Sequence, residues 1–334
     1  MNAIFLAAAV LAASVTATPI YRVTDLSQQG FVASKINSHA QYAGQLGEHA
    51  SVLTHGTVLD LGVLDGFDES SAEGFNDAGQ VVGTSWTGGY TFNGRAFLWQ
   101  DGTMTALDGE GASNTSAAFG INAAGQIVGK RSEIAAIWDH GTVASLGTFP
   151  NDYASYAVAI NRFGQIAGVS RGGGGTHAFF YDHGLTTLAG DLDGYAVGEA
   201  MALNDAGEVV GTVFNYNTQP YAWHAYVWRG GITTDLGVLQ EGATWNVANA
   251  INNFGAIVGL AMFIDGGVSS HAFLYKDGHM QDLNGLIPAQ SGWVLTNAAS
   301  INDAGRIVGS GTLNGQDHTF LLTPVSAASS AHGR

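Results

Sequence analysis

The stretch Ile121-Asn122-Ala123-Ala124-Gly125-Gln126-Ile127-Val128-Gly129 is one of seven recognisable copies of a motif in this chain of 334 residues. The copies begin at the apolar–Asn pairs Ile36-Asn37, Phe75-Asn76, Ile121-Asn122, Ile160-Asn161, Leu203-Asn204, Ile251-Asn252 and Ile301-Asn302. Successive asparagines are separated by 39, 46, 39, 43, 48 and 50 positions. Periods of this size indicate a solenoid, a propeller or another array of repeated units.

Each copy of the motif reads as a strand, a tight turn and a second strand. Asparagine tolerates turn geometry and binds backbone groups two residues on, while the first glycine supplies a positive φ. We therefore predict that the seven asparagines shape turns and do not bind a ligand. Aspartate follows asparagine at Asp77, Asp205 and Asp303, but the alternating oxygen ligands of a calcium loop are missing from each copy.

A second recurring element lies downstream of each copy and is clearest at His271-Ala272-Phe273-Leu274-Tyr275-Lys276-Asp277-Gly278. Aromatic and branched strand residues followed by Asp-Gly, Gly-Gly or His-Gly predict a hairpin. Each unit therefore contains four short antiparallel strands, which we letter a to d in chain order.

The seventh unit ends after strand c, and a matching strand d stands at the other end of the chain. Tyr21-Arg22-Val23-Thr24-Asp25-Leu26 reads like Gly231-Ile232-Thr233-Thr234-Asp235-Leu236 of the fifth unit. We predict an all-β fold, a seven-bladed β-propeller of four-stranded antiparallel blades whose ring is closed by the N-terminal strand. A parallel β-helix is the main alternative, but its coils are shorter and lack repeated hairpin turns.

The second element also resembles the HAF-repeat proteins, a family of extracellular repeat proteins named for a His-Ala-Phe triplet. Intact triplets stand at His177-Ala178-Phe179 and His271-Ala272-Phe273. Variants stand at His49-Ala50-Ser51, Arg95-Ala96-Phe97, His224-Ala225-Tyr226 and His318-Thr319-Phe320. The resemblance runs from Tyr21 to Val325 and implies a repeat architecture in an extracellular setting. The resemblance implies no catalytic residues.

Composition and charge narrow the class of partner. Hydrophobic residues make up 46% of the chain, and 48 glycines against 5 prolines fit many tight turns. The balance of 27 acidic to 11 basic residues gives a net charge of −16, which repels nucleic acid and anionic membranes. We predict no nucleic-acid partner. The absence of cysteine excludes disulfides and thiolate chemistry.

The N-terminal segment predicts export, and the two ends of the chain set the domain boundaries. Ile4 to Ala17 is an apolar, alanine-rich run ending in Val15-Thr16-Ala17, the spacing of a signal-peptidase site. Residues 1–17 are thus predicted to be a signal peptide cleaved near Ala17, and the run is too short for membrane insertion. Residues 18–325 would form a single propeller domain and 326–334 a disordered tail. The predicted location is extracellular or periplasmic.

Length varies among the units only in the b-to-c and d-to-a connections. These connections should lie on the same side of the propeller disc. Variable loops on a rigid scaffold often carry function. Aromatic rings interleaved with Asn, Thr and Gly suit a sugar-like ligand. The candidate ligand-binding residues are Trp86, Tyr90, Phe92, Tyr216, Tyr221 and Trp223. The alternative is that these rings pack against their own loops, as we expect Trp245 and Trp293 to pack between units.

Acidic and histidine residues are the remaining candidates for chemistry. Asp191 and Asp193 form the best place for a calcium ion, but acidic loops on an acidic protein are usually solvated, so we predict no cofactor. Five histidines recur at the start of strand c: His49, His177, His224, His271 and His318. Their recurrence favours a structural hydrogen bond in each unit. No catalytic residue is assigned.

Three functional classes follow from these observations. A monomeric binding module for an unknown extracellular ligand, either a glycan or a protein, fits a rigid scaffold with one variable face. A secreted polysaccharide hydrolase or lyase is the first alternative, because propellers host such enzymes. A structural surface protein is the second.

Overall fold

The computed structural model describes residues 20–88, 90–109, 115–173, 175–189, 197–215, 222–241, 243–264 and 268–325. These residues form an all-β structure built mainly of four-stranded antiparallel sheets, which confirms the predicted class. Two short 3-10 turns interrupt them, at Gln28–Gly30 and Leu283–Leu286. No helix in the described ranges is long and apolar enough to cross a membrane.

The strands follow the predicted order a to d in each unit, after a first strand β1 (Tyr21–Asp25). Unit 1 contains β2 (Phe31–Ile36), β3 (Tyr42–Leu46), β4 (His49–Thr54) and β5 (Thr57–Asp60). Unit 2 contains β6 (Glu69–Phe75), β7 (Val81–Thr87), β8 (Tyr90–Gln100) and β9 (Thr103–Ala106). Unit 3 contains β10 (Ser116–Ile121), β11 (Ile127–Arg131), β12 (Ile134–Asp139) and β13 (Thr142–Gly147).

The later units continue the same order. Unit 4 contains β14 (Asp152–Ile160), β15 (Ile166–Gly172), β16 (Gly175–Asp182) and β17 (Leu185–Ala189). Unit 5 contains β18 (Val197–Leu203), β19 (Val209–Asn215), β20 (Ala222–Arg229) and β21 (Ile232–Asp235). Unit 6 contains β22 (Ala243–Ile251), β23 (Ile257–Phe263), β24 (Ser269–Lys276) and β25 (His279–Asp282). Unit 7 contains β26 (Trp293–Ile301), β27 (Ile307–Leu313) and β28 (Gln316–Pro324).

Strand pairing within each unit runs antiparallel in the order a–b–c–d. Units 5 and 6 are joined in one larger sheet by a single parallel bridge between Trp223 and Trp245. In unit 7 the fourth strand is β1, which pairs with β28 from Tyr21 opposite Pro324 to Asp25 opposite Phe320. The first strand of the chain therefore belongs to the same sheet as the last.

A β-bulge in strand a explains the second glycine of the motif. In every unit a buried alanine just before the bulge pairs with that glycine, as Ala72 pairs with Gly83 and Ala248 with Gly259. A Cβ on Gly83 would lie 1.8 Å from the carbonyl oxygen of Ser71. Strand a thus passes too close to strand b for any side chain at this position.

The aromatic residue of the triplet covers the same glycine from strand c. Phe97 pairs with Gly83, and Phe273 pairs with Gly259, and both rings are fully buried. A Cβ on Gly259 would lie 2.9 Å from the Phe273 ring. The ring therefore fills the space that a side chain on strand b would otherwise occupy, which is one way a sheet compensates for an interior glycine.

The hydrophobic core is divided into clusters that lie between consecutive units. A further cluster joins the two ends of the chain, where Val308 of unit 7 packs with Phe31 and Ala33 of unit 1. Each unit thus buries its apolar faces against its neighbours, as expected of a repeat that cannot bury them alone.

The asparagines shape the a–b turns, as predicted, and they also connect neighbouring units. Asn122 Oδ1 accepts the N–H groups of Ala124 and Gln126, both at 3.0 Å. Asn122 Nδ2 donates to the carbonyl oxygen of Asn161, the asparagine of the next unit, at 3.0 Å. The same bond recurs between every pair of consecutive units at 3.0 to 3.3 Å, and Asn302 makes it to Asn37. We call this set the asparagine belt.

Replacing one belt asparagine tests this dual role. Asn122→Asp keeps the oxygen that shapes the turn but loses the donor to Asn161 O and to Gln126 Oε1. Because the residue is buried, we expect the free energy of unfolding to fall by about 1–3 kcal/mol. Urea denaturation would measure it. Asn314→Asp, in an exposed turn outside the belt, is the control and should change stability little. Equal effects of the two substitutions would contradict the role of the belt.

Candidate functional site

The antiparallel strand order gives the molecule two different sides. The a–b and c–d turns lie on one side of every sheet, and the b–c and d–a connections lie on the other. We call these the turn face and the loop face. Trp86 and Trp223, the two candidate ligand residues whose side chains are described, belong to the loop face.

A central cavity of about 300 Å³ opens where all seven a–b turns meet on the turn face. The residues that follow the asparagines surround it, and they bind one another. Asp77 accepts the Ser38 N–H at 2.8 Å, and Asp303 accepts the Asn253 N–H at 2.8 Å. Arg162 Nε lies 3.6 Å from Asp205. Within the described residues no three His, Asp or Glu side chains are grouped so as to hold a metal ion.

Trp86 stands at the end of β7 on the loop face and is half-buried. Its indole N–H donates to Glu69 Oε2 at 2.8 Å across the β6–β7 pair. The connection from unit 1 to unit 2, between β5 and β6, is bonded to the same hairpin. The Gly88 N–H donates to Asp68 Oδ1 at 3.3 Å, and the Thr87 hydroxyl donates to the carbonyl oxygen of Gly66 at 3.3 Å. Trp86 is therefore held in a fixed orientation.

Trp223 lies near the start of β20 and belongs to an aromatic cluster between units 5 and 6. Its ring stacks on Trp245, with centroids 4.9 Å apart and planes at 16°, and Phe214 meets it edge-on at 4.5 Å. Trp245 therefore packs between units, as predicted, but does so against a candidate ligand residue. Trp293 also packs, edge-on to Phe320 and to His318.

The other sequence candidates fall outside what the structure describes. Tyr90 and Phe92 belong to β8, but their side chains are not described. Tyr216, Tyr221, Asp191 and Asp193 lie outside the described residues altogether. Trp86 and Trp223 are not brought together, since one belongs to unit 2 and the other to unit 5.

Four of the five triplet histidines make the repeated structural contact that their recurrence predicts, whereas His177 meets the Phe149 ring edge-on. Nδ1 of His49, His224, His271 and His318 lies 2.6 to 3.1 Å from a carboxylate oxygen. The carboxylate belongs to the aspartate that ends strand d, namely Asp60, Asp235, Asp282 and Asp25 respectively. Each aspartate also accepts the N–H two residues on, at 2.8 to 2.9 Å. We call these the His–Asp pairs.

The His–Asp pairs affect the aspartates electrostatically. Burial alone would raise the pKa of Asp235, but hydrogen bonds from His224 and the Gly237 N–H outweigh it and hold that pKa below its ordinary value. Burial likewise opposes ionisation of Asp25, and the bonds from the Ser27 N–H and His318 again leave its pKa lowered. Both carboxylates are therefore stabilised in the charged form.

A polar cluster between units 4 and 5 was not anticipated from the sequence. Arg171 donates to the Tyr156 hydroxyl at 2.9 Å and to Glu199 Oε1 at 2.6 Å. Burial and the nearby Glu199 charge raise the pKa of Tyr156 to about 12, although Arg171 opposes them. Each of the three side chains has a hydrogen-bond partner within the cluster, so we assign the cluster a structural role.

A cleft beside Arg95 is the other feature that sequence reasoning missed. Arg95 stands where units 1, 5, 6 and 7 have the triplet histidine, and Ala106 stands where they have the strand-d aspartate, as the pairings Phe97–Ala106 and Phe273–Asp282 establish. The sequence therefore contained a sign of this site, because two positions of the repeat carry different residue types in unit 2. The cleft lies between β9 and the connection that joins β5 to β6, and its volume is about 560 Å³. Its lining includes Leu64, Asp65, Phe67, Arg95, Met104 and Gly109. We call it the Arg95 cleft.

Comparison with known proteins identifies the fold. No protein-family model matches the chain, and no curated protein matches it. Solved structures are similar to it, and they include the β-propeller domain of the Trilobed protease from Pyrococcus furiosus. That domain is 10% identical, with 79% of this chain and 84% of that chain covered and a TM-score of 0.50. The described residues thus adopt a β-propeller fold.

Two further similar structures are oligogalacturonate lyases. The enzyme from Vibrio parahaemolyticus is 8% identical, covers 90% of this chain and 93% of its own, and has a TM-score of 0.57. An oligogalacturonate lyase in complex with manganese is 10% identical, covers 93% and 95%, and has a TM-score of 0.54. At such identities the likeness concerns the fold alone.

Removing one His–Asp pair should change how stability depends on pH. A carboxylate with a lowered folded pKa stabilises the protein above its unfolded pKa, here 3.8, and loses that contribution as pH falls through the folded pKa. Asp235→Asn should therefore lower the unfolding free energy at pH 7 by about 0.5–1 kcal/mol, because the pair is partly exposed. The difference from wild type should shrink below pH 3.8.

Denaturation curves between pH 2 and pH 7 would measure this. Asp277→Asn, in an exposed c–d turn, is the matched control and should leave the curve unchanged. A constant difference between Asp235→Asn and wild type across the range would show that the charge of Asp235 contributes nothing.

Proposed function

We propose that this chain is an exported propeller of the HAF-repeat type that binds glycans through its loop face. Residues 1–17 would be removed on export, and the seven units would form a seven-bladed ring closed by β1. The observation that carries the binding function is the asymmetry between the faces. Repeated hydrogen bonds occupy the turn face, whereas aromatic side chains that differ from unit to unit stand on the loop face.

Three contacts between the ends of the chain support ring closure. β1 pairs along its whole length with β28, Asn302 completes the asparagine belt to Asn37, and Val308 packs with Phe31. In addition, the N–H of Thr319 in unit 7 donates to Ser27 Oγ at 2.7 Å. A ring closed in this way leaves only short, protected strand edges.

The loop face supports recognition of a sugar. Trp86 and Trp223 are half-buried, so part of each ring is open to solvent while hydrogen bonding or stacking holds its orientation. Rings fixed in advance lose little entropy when a ligand binds, and their faces suit the C–H faces of a sugar ring. The net charge of −16 favours neutral or weakly charged glycans over polyanions.

Ring closure is tested by deletion. Removing residues 18–27 should expose the edge of β28 and cause aggregation or a large drop in melting temperature, because five paired residues and the Thr319–Ser27 bond are lost. Removing residues 326–334 is the control and should change neither property. A monomeric protein with unchanged melting temperature after the first deletion would refute closure by β1.

Glycan binding is tested first on an array, using mature protein with calcium and with chelator while released products are monitored. For a glycan that binds, Trp86→Ala and Trp223→Ala should each weaken affinity by about 1–3 kcal/mol, since each removes a large contact surface. His271→Ala should instead lower stability with little effect on affinity. Phe254→Ala, at an exposed aromatic of the turn face, is the matched control.

Two outcomes would contradict the binding function. Cleavage of a glycan by the wild-type protein would identify an enzyme instead. A loss of stability in both tryptophan variants as large as in His271→Ala would mean that the rings pack only against their own loops.

A further inference from the structure

Unit 2 has neither member of the His–Asp pair. Unit 3 also has neither, with Ile134 and Ser145 at the two positions, but of these two units only unit 2 has a charged side chain there, Arg95. In units 1, 5, 6 and 7 an imidazole and a carboxylate bind each other. In unit 2 Arg95 stands at the histidine position and Ala106, whose side chain offers no acceptor, at the aspartate position. Among the described residues Arg95 has one hydrogen bond, to the Gly109 carbonyl oxygen at 3.3 Å, and belongs to no ion pair. Within that part of the chain, most of its N–H donors have no partner and can bind a ligand.

Four other arginines of this acidic chain are paired with carboxylates. Arg131 lies 3.0 Å from Asp108, Arg171 lies 2.6 Å from Glu199, and Arg229 is bonded to Glu208. Arg95 instead lines a cleft of about 560 Å³, within the roughly 300–1,000 Å³ typical of small-molecule sites. No carboxylate among the described residues pairs with Arg95, and the cleft beside it can take a ligand.

The walls of the cleft indicate what else the ligand must carry. Leu64, Phe67 and Met104 present apolar surface, and Phe67 and Met104 belong to the cluster between units 1 and 2. Asp65 also lines the cleft but does not pair with Arg95, and its carboxylate can accept hydroxyl hydrogens. A matching ligand has a carboxylate, an apolar face and hydroxyl groups on one small ring.

We propose that the Arg95 cleft binds the uronic acid residue at the end of a glycan chain, with its carboxylate on the Arg95 guanidinium. This proposal rests on the glycan-binding function proposed above and names the ligand class of one loop-face subsite. Arginine binds carboxylates through two parallel N–H donors, which suits a group at a chain end. A run of uronates is disfavoured by the net charge of −16, so a single terminal residue is expected.

Calorimetry with methyl glucuronide and methyl galacturonide tests the proposal, with methyl glucoside and methyl galactoside as neutral counterparts. The mature wild-type protein should bind at least one uronide more tightly than its neutral counterpart, and added salt should weaken that binding. Arg95→Gln should weaken it by about 10- to 100-fold. Arg22→Gln, at an exposed arginine outside the cleft, should leave it unchanged.

A second variant separates loss of the site from loss of the fold. Arg95→His combined with Ala106→Asp creates the His–Asp pair of units 1, 5, 6 and 7, so it should fold with wild-type stability and lose uronide binding. Retained binding in this double variant would overturn the proposal. Tighter binding of an acetylated dipeptide with a free carboxylate than of either uronide would overturn the choice of a sugar.

The two proposals can fail separately. If the wild-type protein binds array glycans in a Trp86- or Trp223-dependent way but binds no uronide, the Arg95 proposal alone is wrong. If it binds neither array glycans nor uronides, both are wrong.

Discussion

The side-chain amide of the asparagine in each a–b turn is the group on which the rest of the repeat depends. Its oxygen accepts N–H groups of its own turn, and its nitrogen donates to the turn of the next unit. Aspartate has no such donor and serine is too short to span both positions. Because the belt asparagines are only 3% to 7% exposed, an unmade bond there would be costly. One residue type thus couples the shape of each hairpin to the spacing between units.

The His-Ala-Phe triplet follows from three separate contacts of strand c. The histidine binds the aspartate that ends strand d, and the aromatic ring covers the glycine of strand b. The alanine is small and buried because strand a of the next unit packs against it. Its N–H donates to a serine of that strand, as Ala50 does to Ser70 and Ala135 to Ser155, at 2.9 and 2.8 Å. The triplet therefore binds its own unit on two sides and the next unit on the third, which explains why it recurs as a block.

The strand order, the turns and the structural role of the histidines could be predicted because each rests on residues that repeat at a fixed position. The partner of each histidine could not, because Asp235 is eleven residues from His224 and only the strand c–d register brings them together. The bond from each asparagine to the next unit is likewise invisible in one copy of the motif. For the loop-face site the sequence indicated Trp86 and Trp223 but did not show that they contact Glu69 and Trp245, since contacts made by single units do not recur along the chain.

The same reasoning explains where a repeat protein of this kind can acquire a site. A position held by the asparagine belt cannot change alone, because its bonds to two neighbours would be broken. The His–Asp pair is different, since both members lie within one unit and their loss removes a donor and an acceptor together. Units 2 and 3 have neither member, and the strands of unit 2 keep the register of the units that have the pair. Arg95 could therefore enter the loop face without disturbing the scaffold, which makes the edge between strands c and d the place where one unit can take on chemistry of its own.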